Sequence, residues 1–313
     1  MKKKLLPLAI AAAMTPGFAA AADVSGFVDV MYNISSDSAP TTDGSFGAAA
    51  EVDFIASPAD GVTTRVDVDF NLTPGTTGGA DLEQAFFAWG ATEGVTVIGG
   101  VFNNPIGMEC GDAPCMWGTQ SGIVGNALNG QTSNLNGNNL AGLAVAGDVG
   151  PATVTVAYVN ELGGMAEENT FALVVNASPV EGLDLELGFA TQELVGGTEG
   201  VTNINGSWAV PGVEGLSVGA DILIGSEVLD TAYELMANYS MGDFGVGIRA
   251  EDASYAVGDS NSRLTYHASY QAASNLVAVL EVADGTVDNA AMATAVDGIV
   301  KDNVITLELI ATF

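Results

Sequence analysis

Apolar and polar residues alternate along most of the chain. In the segment VTTRVDVDFNL (62–72), apolar residues and Thr64 fall on one face, whereas Arg65, Asp67 and Asp69 fall on the other. The segments 183–190 and 304–313 repeat this pattern, with Ile310 as a minor exception. Because successive side chains of a strand point to opposite faces, a period of two predicts two-faced β-strands.

About sixteen such segments recur, each roughly nine to twelve residues long, which is close to the length of a tilted membrane-spanning strand. The predicted strands lie near 24–34, 46–57, 61–71, 81–90, 94–102, 138–147, 151–160, 168–177, 183–192, 200–209, 215–224, 231–240, 243–251, 262–271, 275–283 and 303–313.

The connections between these segments alternate in length. Turns such as 57–61 and 147–151 are short, whereas links such as 35–44 and 283–298 are long and polar. Short turns at one end and longer loops at the other are typical of barrels that cross a bilayer. The sequence therefore predicts an all-β fold, a transmembrane up-and-down antiparallel β-barrel of about 16 strands.

Charged residues follow the polar face of the predicted strands. A charge that faces lipid at the bilayer midplane costs about 2–4 kcal/mol for Arg or Lys, and less for Asp or Glu, so the polar face should point into the barrel. The predicted pore-lining residues are Asp29, Glu51, Asp53, Arg65, Asp67, Asp69, Asp184, Glu186, Asp221, Glu234, Arg249, Glu251, Arg263, Glu281 and Glu308.

Two predicted strands fit this register less well. In 81–90, Gln84 shares the face of Phe86 if Glu83 points inward. In 275–283, Glu281 shares its face with the valines, so both faces look apolar.

The N-terminus predicts export from the cytoplasm. Lys2 to Lys4 form a basic region, Leu5 to Met14 an apolar region, and Ala20 to Ala22 a small-residue cleavage site. This order is that of a secretory signal peptide, which we assign to residues 1–22. The remaining residues, 23–313, are predicted to form a single outer-membrane β-barrel domain.

The mature chain is strongly acidic yet apolar on average. Without the signal peptide it keeps four basic residues against 38 acidic ones. Such a charge disfavours binding to nucleic acid and to anionic headgroups. The mean hydropathy of the full sequence is nevertheless +0.33, so many apolar side chains must be buried or must face lipid. The acidity fits either cation selectivity or a saline habitat.

The segment 103–118 interrupts the alternation and contains both cysteines, Cys110 and Cys115. In an exported chain, two close cysteines favour a structural disulfide over a metal or redox site, which stays the alternative. Their spacing matches neither a haem-attachment motif nor a pair of zinc-binding motifs, and His267 is the only histidine.

The chain resembles a Gram-negative outer-membrane porin in its signal peptide, sixteen alternating segments, long third loop and terminal Phe313. The resemblance implies that residues 103–137 fold into the lumen as a constriction loop. Glu109 and Asp112 would then face the channel, and the disulfide would stiffen part of that loop. It also implies a homotrimer in the outer membrane, in contact with lipid and lipopolysaccharide.

The chain departs from the porin pattern in its scarcity of arginine, since Arg65, Arg249, Arg263 and Lys301 are its basic residues beyond the signal peptide. An acidic lumen should enrich cations. We therefore predict a water-filled channel for passive diffusion of small hydrophilic solutes and ions, with a preference for cations and without a cofactor or metal.

Two other classes of function are alternatives. One is a structural or adhesive outer-membrane barrel with a plugged lumen, whose outer loops bind a partner, divalent cations or lipopolysaccharide. The other is an enzyme, for which His267 would have to act as the base. Because a lone histidine on a polar strand face is more often solvated than catalytic, we predict that the protein is not an enzyme.

Overall fold

A computed structural model describes residues 22–35, 44–72, 79–109, 111–132, 139–160, 169–194, 197–225, 229–293 and 302–313. Sixteen antiparallel strands form a single closed barrel in which each strand pairs with its neighbours in sequence and β1 pairs with β16. The strands are β1 (Asp23–Ser35), β2 (Ser45–Ala59), β3 (Val62–Leu72), β4 (Gly79–Thr92), β5 (Val95–Asn103), β6 (Asn139–Val149), β7 (Ala152–Val159), β8 (Thr170–Val180), β9 (Leu183–Leu194), β10 (Gly197–Ala209), β11 (Leu216–Ile224), β12 (Leu229–Met241), β13 (Phe244–Tyr255), β14 (Asn261–Ala273), β15 (Leu276–Val287) and β16 (Asp302–Thr312).

The predicted fold class is confirmed, and every predicted strand overlaps an observed one. At the seam between the first and last strands, Phe27 lies opposite Thr312, and the Phe313 amide donates to the Gly26 carbonyl at 3.1 Å. Because this seam pairs the two end strands, the barrel has no open sheet edge.

The outer face of the barrel is apolar. On β12, Tyr233 and Leu235 are 40% and 53% exposed, whereas Glu234 between them is 1% exposed. Aromatic residues near strand ends, including Phe46, Trp208, Tyr239, Tyr270 and Phe313, are also exposed. An apolar exterior with aromatic residues toward its margins is what a barrel in a bilayer requires.

Strand β4 carries a β-bulge that the sequence pattern did not predict. Asp67 of β3 pairs with Gln84, and the next residue, Val68, pairs with Leu82, so Glu83 is an extra residue in the ladder. A bulge of this kind re-aims the side chains beside it. Glu83 and Gln84 are therefore both buried, at 7% and 3% exposure.

The bulge corrects the register predicted for this strand. Strict alternation placed Gln84 and Phe86 on the outer face whenever Glu83 points inward. Gln84 and Phe86 do share a face, but its placement on the outside was wrong: Gln84 is buried, Phe86 packs against the interior apolar cluster, and Phe87 is the 40% exposed residue. The extra residue shifts the alternation by one position.

The connection between β5 and β6, described over 104–109 and 111–132 and called the inner loop below, contains a helix that the sequence did not predict. This helix is α1 (Ile123–Thr132), and a shorter helix α2 (Ala290–Met292) precedes β16. Neither of these described helices is long and apolar enough to cross a membrane.

One face of α1 is buried against the inside of the barrel. Ile123, Val124, Ala127 and Leu128 share that face and are each at most 3% exposed. They pack in one cluster with inward residues of β5 to β13, many of them alanines. Small wall residues leave room for a helix inside the barrel. The inward partners include Ala144, Ala157, Ala172, Ala190, Val201, Leu223, Ala232 and Ala253.

Candidate functional site: the lumen and its inner loop

The inner loop lies across the lumen. Near its middle, Ala113 and Met116 pack against Phe27 of β1 and Ile310 of β16. At its other end, α1 contacts β11, β12 and β13. A segment that reaches both of these walls of a closed barrel must cross its interior. The prediction that the third long loop folds into the lumen is therefore confirmed.

Five carboxylates of the barrel wall accept hydrogen bonds from backbone amides of the inner loop. An irregular segment inside a barrel has no ladder partner for its amides, so it needs other acceptors, and bonds to carboxylates are among the stronger ones. The pairs are Gly107 to Glu186 (3.0 Å), Met108 to Asp221 (3.2 Å), Thr119 to Glu281 (2.8 Å), Ile123 to Glu251 (2.8 Å) and Val124 to Glu234 (2.6 Å).

Two of these carboxylates cap the N-terminus of α1. The first amides of a helix lack intrahelical acceptors and lie at the positive end of the helix dipole. Glu251 on β13 and Glu234 on β12 accept from the first two residues of α1, and both side chains are buried. The wall thus supplies the acceptors that a capping side chain provides in an ordinary helix.

Arg249 of β13 also holds the inner loop, next to the capping residue Glu251. Its guanidinium is fully buried, lies 2.9 Å from Glu109 Oε1 and 3.3 Å from Glu251 Oε2, and donates to the Gln120 carbonyl at 2.9 Å. It also lies 5.3 Å from the ring centre of Trp117, within the range of a cation–π contact.

Arg263 on the adjacent strand makes a parallel set of contacts. It pairs with Glu251 at 2.6 Å and donates to the Ser121 carbonyl at 2.7 Å. Arg249 and Arg263 therefore both bind the same carboxylate, Glu251, and both donate to carbonyls of the inner loop. Both lie far in sequence from Arg65 of β3. They do not stand as a free basic cluster.

Glu109, a predicted channel-facing acid, is bonded within the loop. It accepts from the amides of Trp117 (3.0 Å) and Gly122 (2.6 Å) in addition to its pair with Arg249. It also borders the cavity described below. Whether it faces a conducting path stays a prediction.

The remaining predicted pore-lining acids lie mostly on β1 to β4 and β16. Arg65 pairs there with Asp53 at 2.9 Å and Asp67 at 2.6 Å. Asp29 of β1 and Glu308 of β16 are buried at 2% and 0% exposure. None of the predicted pore-lining residues is exposed. That these residues line an open path through the barrel stays a prediction.

Asp112, the second predicted channel-facing acid, lies in the inner loop beside this acidic wall. It is near Glu51 of β2 and Glu83 of β4. Burial raises the pKa of the Asp112 carboxyl above its ordinary value because the charged form loses hydration.

A cavity of about 1400 Å³ occupies the end of the barrel where the turns are short. Its acidic lining residues include Glu181 and Asp184, and Trp117 of the inner loop borders it together with His267. The rings of Trp117 and His267 lie 4.5 Å apart between centroids. This space forms a vestibule that ends at the inner loop.

Some predicted residues lie outside the described part of the chain. These are Cys110, Lys301, residues 1–21 and the end of the predicted constriction loop at 133–137. The disulfide between Cys110 and Cys115 and the signal peptide therefore stay predictions.

A set of buried side-chain amides that orient the acids was not predicted from the sequence. Asn203 donates to Asp221 Oδ1 at 2.6 Å, and Asn205 donates to Glu186 Oε1 at 3.0 Å. Both asparagines lie on the polar face of β10, at positions two apart. The alternation in VTNING (201–206) carried this signal.

A closed antiparallel barrel of sixteen strands with an apolar exterior and an inner loop across its lumen defines a porin-like β-barrel. The fold is similar to solved structures of the Rhodopseudomonas blastica porin. One variant with five substitutions is 15% identical (TM-score 0.69) and another with three is 16% identical (TM-score 0.68). Each alignment covers 93% of this chain and 100% of that chain.

A third structure, described as "Asymmetric conductivity of engineered proteins", has the same coverage at 15% identity and a TM-score of 0.69. No protein-family model and no curated protein matches the sequence. At such identities the likeness shows the fold.

Proposed function

We propose that the protein is an outer-membrane porin that forms a water-filled channel for passive diffusion of small hydrophilic solutes and ions, with a preference for cations. The observation that carries the proposal is the inner loop held across the lumen of a closed, externally apolar barrel, beside a vestibule of about 1400 Å³. A barrel of sixteen strands is too wide for its own side chains to fill.

The charge of the lumen supports the preference for cations. Its arginines are already paired with carboxylates, as Arg249 and Arg263 show. Glu181 and Asp184 line the vestibule, through which an ion that enters from the short-turn end would pass. Fixed negative charge in a narrow aqueous space raises the local concentration of cations.

The similar solved structures support the general class. Two are porins, and one was studied for the asymmetric conductivity of engineered proteins. Together with the signal peptide predicted from the sequence, they favour a place in the outer membrane of a Gram-negative bacterium, in contact with lipid and lipopolysaccharide. A homotrimer and a channel without enzymatic activity belong to the same proposal.

The test is single-channel recording of the refolded mature chain in a planar bilayer under a salt gradient. We expect a steady current whose reversal potential shows cation preference. Asp184→Asn should reduce that preference, because the side chain borders the vestibule. Asp60→Asn is the matched control, since Asp60 lies in an exposed turn at the same end of the barrel.

Each outcome separates one part of the proposal. An open channel that prefers anions would refute the cation preference and leave the channel standing. An equal effect of the two variants would place the selectivity in the overall charge of the protein. A correctly folded barrel without conductance would refute the channel.

A structural or adhesive barrel is the second candidate, and one observation favours it. The inner loop packs tightly against the wall, with Ile106, Ile123 and Val124 each at most 2% exposed. A loop this closely packed could act as a plug. Absence of current from the folded barrel would move this candidate to first place.

A further inference from the structure

Three carboxylates from distant parts of the sequence meet on the side of the lumen near β2 and β4. Glu51 lies on β2, Glu83 on β4 and Asp112 in the inner loop. Each offers one oxygen to a set in which all oxygens lie within 4.8 Å of one another. Glu51 and Glu83 are 2% and 7% exposed, so little water can reach them.

Both wall residues carry an unsatisfied oxygen. Glu51 Oε2 and Glu83 Oε2 are buried and accept no hydrogen bond from the described residues. A buried carboxylate oxygen without a partner is strongly unfavourable, so its environment should supply a donor or a cation. Glu83 Oε1 accepts from Asn139 Nδ2 at 2.9 Å, which fixes the orientation of the group. A hydrogen bond of this kind commonly orients a metal-binding carboxylate.

The nearby arginine offsets only part of the charge of the cluster. Arg65 directs its shorter contacts to Asp53 and Asp67, at 2.9 and 2.6 Å, and lies 3.7 Å from Glu51 Oε1. The other two described arginines bind Glu109 and Glu251 elsewhere in the lumen. Three carboxylates thus share a site whose nearest described basic group already binds two others.

The spacing of the oxygens fits Ca²⁺. Calcium binds oxygen at about 2.3–2.6 Å, so two of its ligands can be at most about 5 Å apart. Mg²⁺ requires about 2.0–2.1 Å and a strict octahedron, and it gives up its water reluctantly. Zn²⁺ is usually bound through nitrogen or sulfur. The sequence showed no metal motif because the three residues come from separate elements.

We propose that Glu51, Glu83 and Asp112 bind one Ca²⁺ ion, which fastens the middle of the inner loop to β2 and β4. The wall carboxylates of β9 to β15 hold the loop by hydrogen bonds, and the ion holds the loop at β2 and β4. The loop is then fixed at both walls. This inference does not depend on the protein conducting ions.

The experiment uses the refolded mature barrel in detergent, stripped of metal with a chelator. Equilibrium dialysis with Ca²⁺ should show one site per chain, with weaker binding of Mg²⁺. Glu83→Gln and Asp112→Asn should each lower the affinity for Ca²⁺ by at least about tenfold, because each removes a charged ligand. Resistance of the barrel to denaturation in detergent checks that each variant has folded.

Glu308→Gln is the matched control. Glu308 is also a fully buried lumen carboxylate, but it lies outside the cluster. The affinity of the Glu308→Gln variant for Ca²⁺ should stay within about twofold of that of the wild type. Equal loss in all three variants would show that Ca²⁺ binding depends on the overall charge of the lumen, and absence of saturable binding at millimolar Ca²⁺ would show that the cluster is not a Ca²⁺ site. Either result overturns the proposal while leaving the channel untouched.

Discussion

Replacing Arg249 by Met should test whether the inner loop is held by buried ion pairs. Arg249 is fully buried, and its removal takes away the ion pair to Glu109 and the hydrogen bond to the Gln120 carbonyl. Glu251 keeps Arg263 as a partner, whereas Glu109 is left as a buried charge. Breaking a buried pair on one side costs about 3–5 kcal/mol, and we expect Arg249→Met to lower the free energy of unfolding by that amount.

Glu109→Gln alone should cost less. Arg249 then still has Glu251 and the Gln120 carbonyl, so the loss is that of one charged hydrogen bond, about 1.5–3 kcal/mol. The double variant no longer buries an unpaired charge, and Gln at 109 can still accept from the Trp117 amide. We therefore expect it to be no less stable than Arg249→Met, with a coupling energy of about 1.5–3 kcal/mol between the two sites.

The assay is urea unfolding of the refolded barrel, combined with a fluorescent signal from the inner loop. The chain has three tryptophans, and Trp89 and Trp208 are exposed on the outer face. Replacing those two with Phe leaves Trp117 as a reporter of loop docking. Strict additivity of the two substitutions would refute the ion-pair account. Arg65→Met is a control that should leave the Trp117 signal unchanged.

Two further predictions concern the outer face and the packing of the inner loop. Leu187→Arg, at the middle of β9 on the exposed apolar face, should destabilise the barrel in lipid by about 2–4 kcal/mol, whereas Val149→Arg beside a turn should cost about 0–1 kcal/mol. Equal losses in lipid refolding titrations would contradict the assigned membrane position. Gly118→Ala should lower the free energy of unfolding by about 1–3 kcal/mol, because its new methyl group would overlap Glu281 Oε2. The displaced carboxylate would bind the Thr119 amide less well, so hydrogen exchange at that amide should be faster. Gly111→Ala, which meets no atom within 4 Å, should behave as wild type, and fast exchange in both variants would argue against this contact.

The strands, and the face on which each side chain lies, could be predicted because apolar and polar residues alternate within each strand. Val66 and Asp67 belong to opposite environments, and this contrast repeats along the chain. The bulge at Glu83 could not be predicted in the same way. It depends on how β4 pairs with β3, and a period of two contains no information about an extra residue.

The helix α1 was not predicted because its sequence has a low helix propensity. Residues 123–132 contain two glycines and two asparagines, and glycine and asparagine both lower helix propensity. Its stability comes from the apolar wall and from Glu234 and Glu251, which the chain places more than a hundred residues later. The carboxylate cluster of Glu51, Glu83 and Asp112 was equally hidden, since it exists only once the inner loop has crossed the lumen.

The seam between β1 and β16 sets the order in which the molecule can be completed. Phe27 meets Thr312, so the ring closes only when the end of the chain has arrived. The wall that receives α1, β11 to β13, comes from the second half of the sequence, far from the inner loop along the chain. Until then the inner loop has no surface to dock on, and its amides stay in water. Contacts between such distant residues form slowly, and we expect loop docking and ring closure to be late events in assembly.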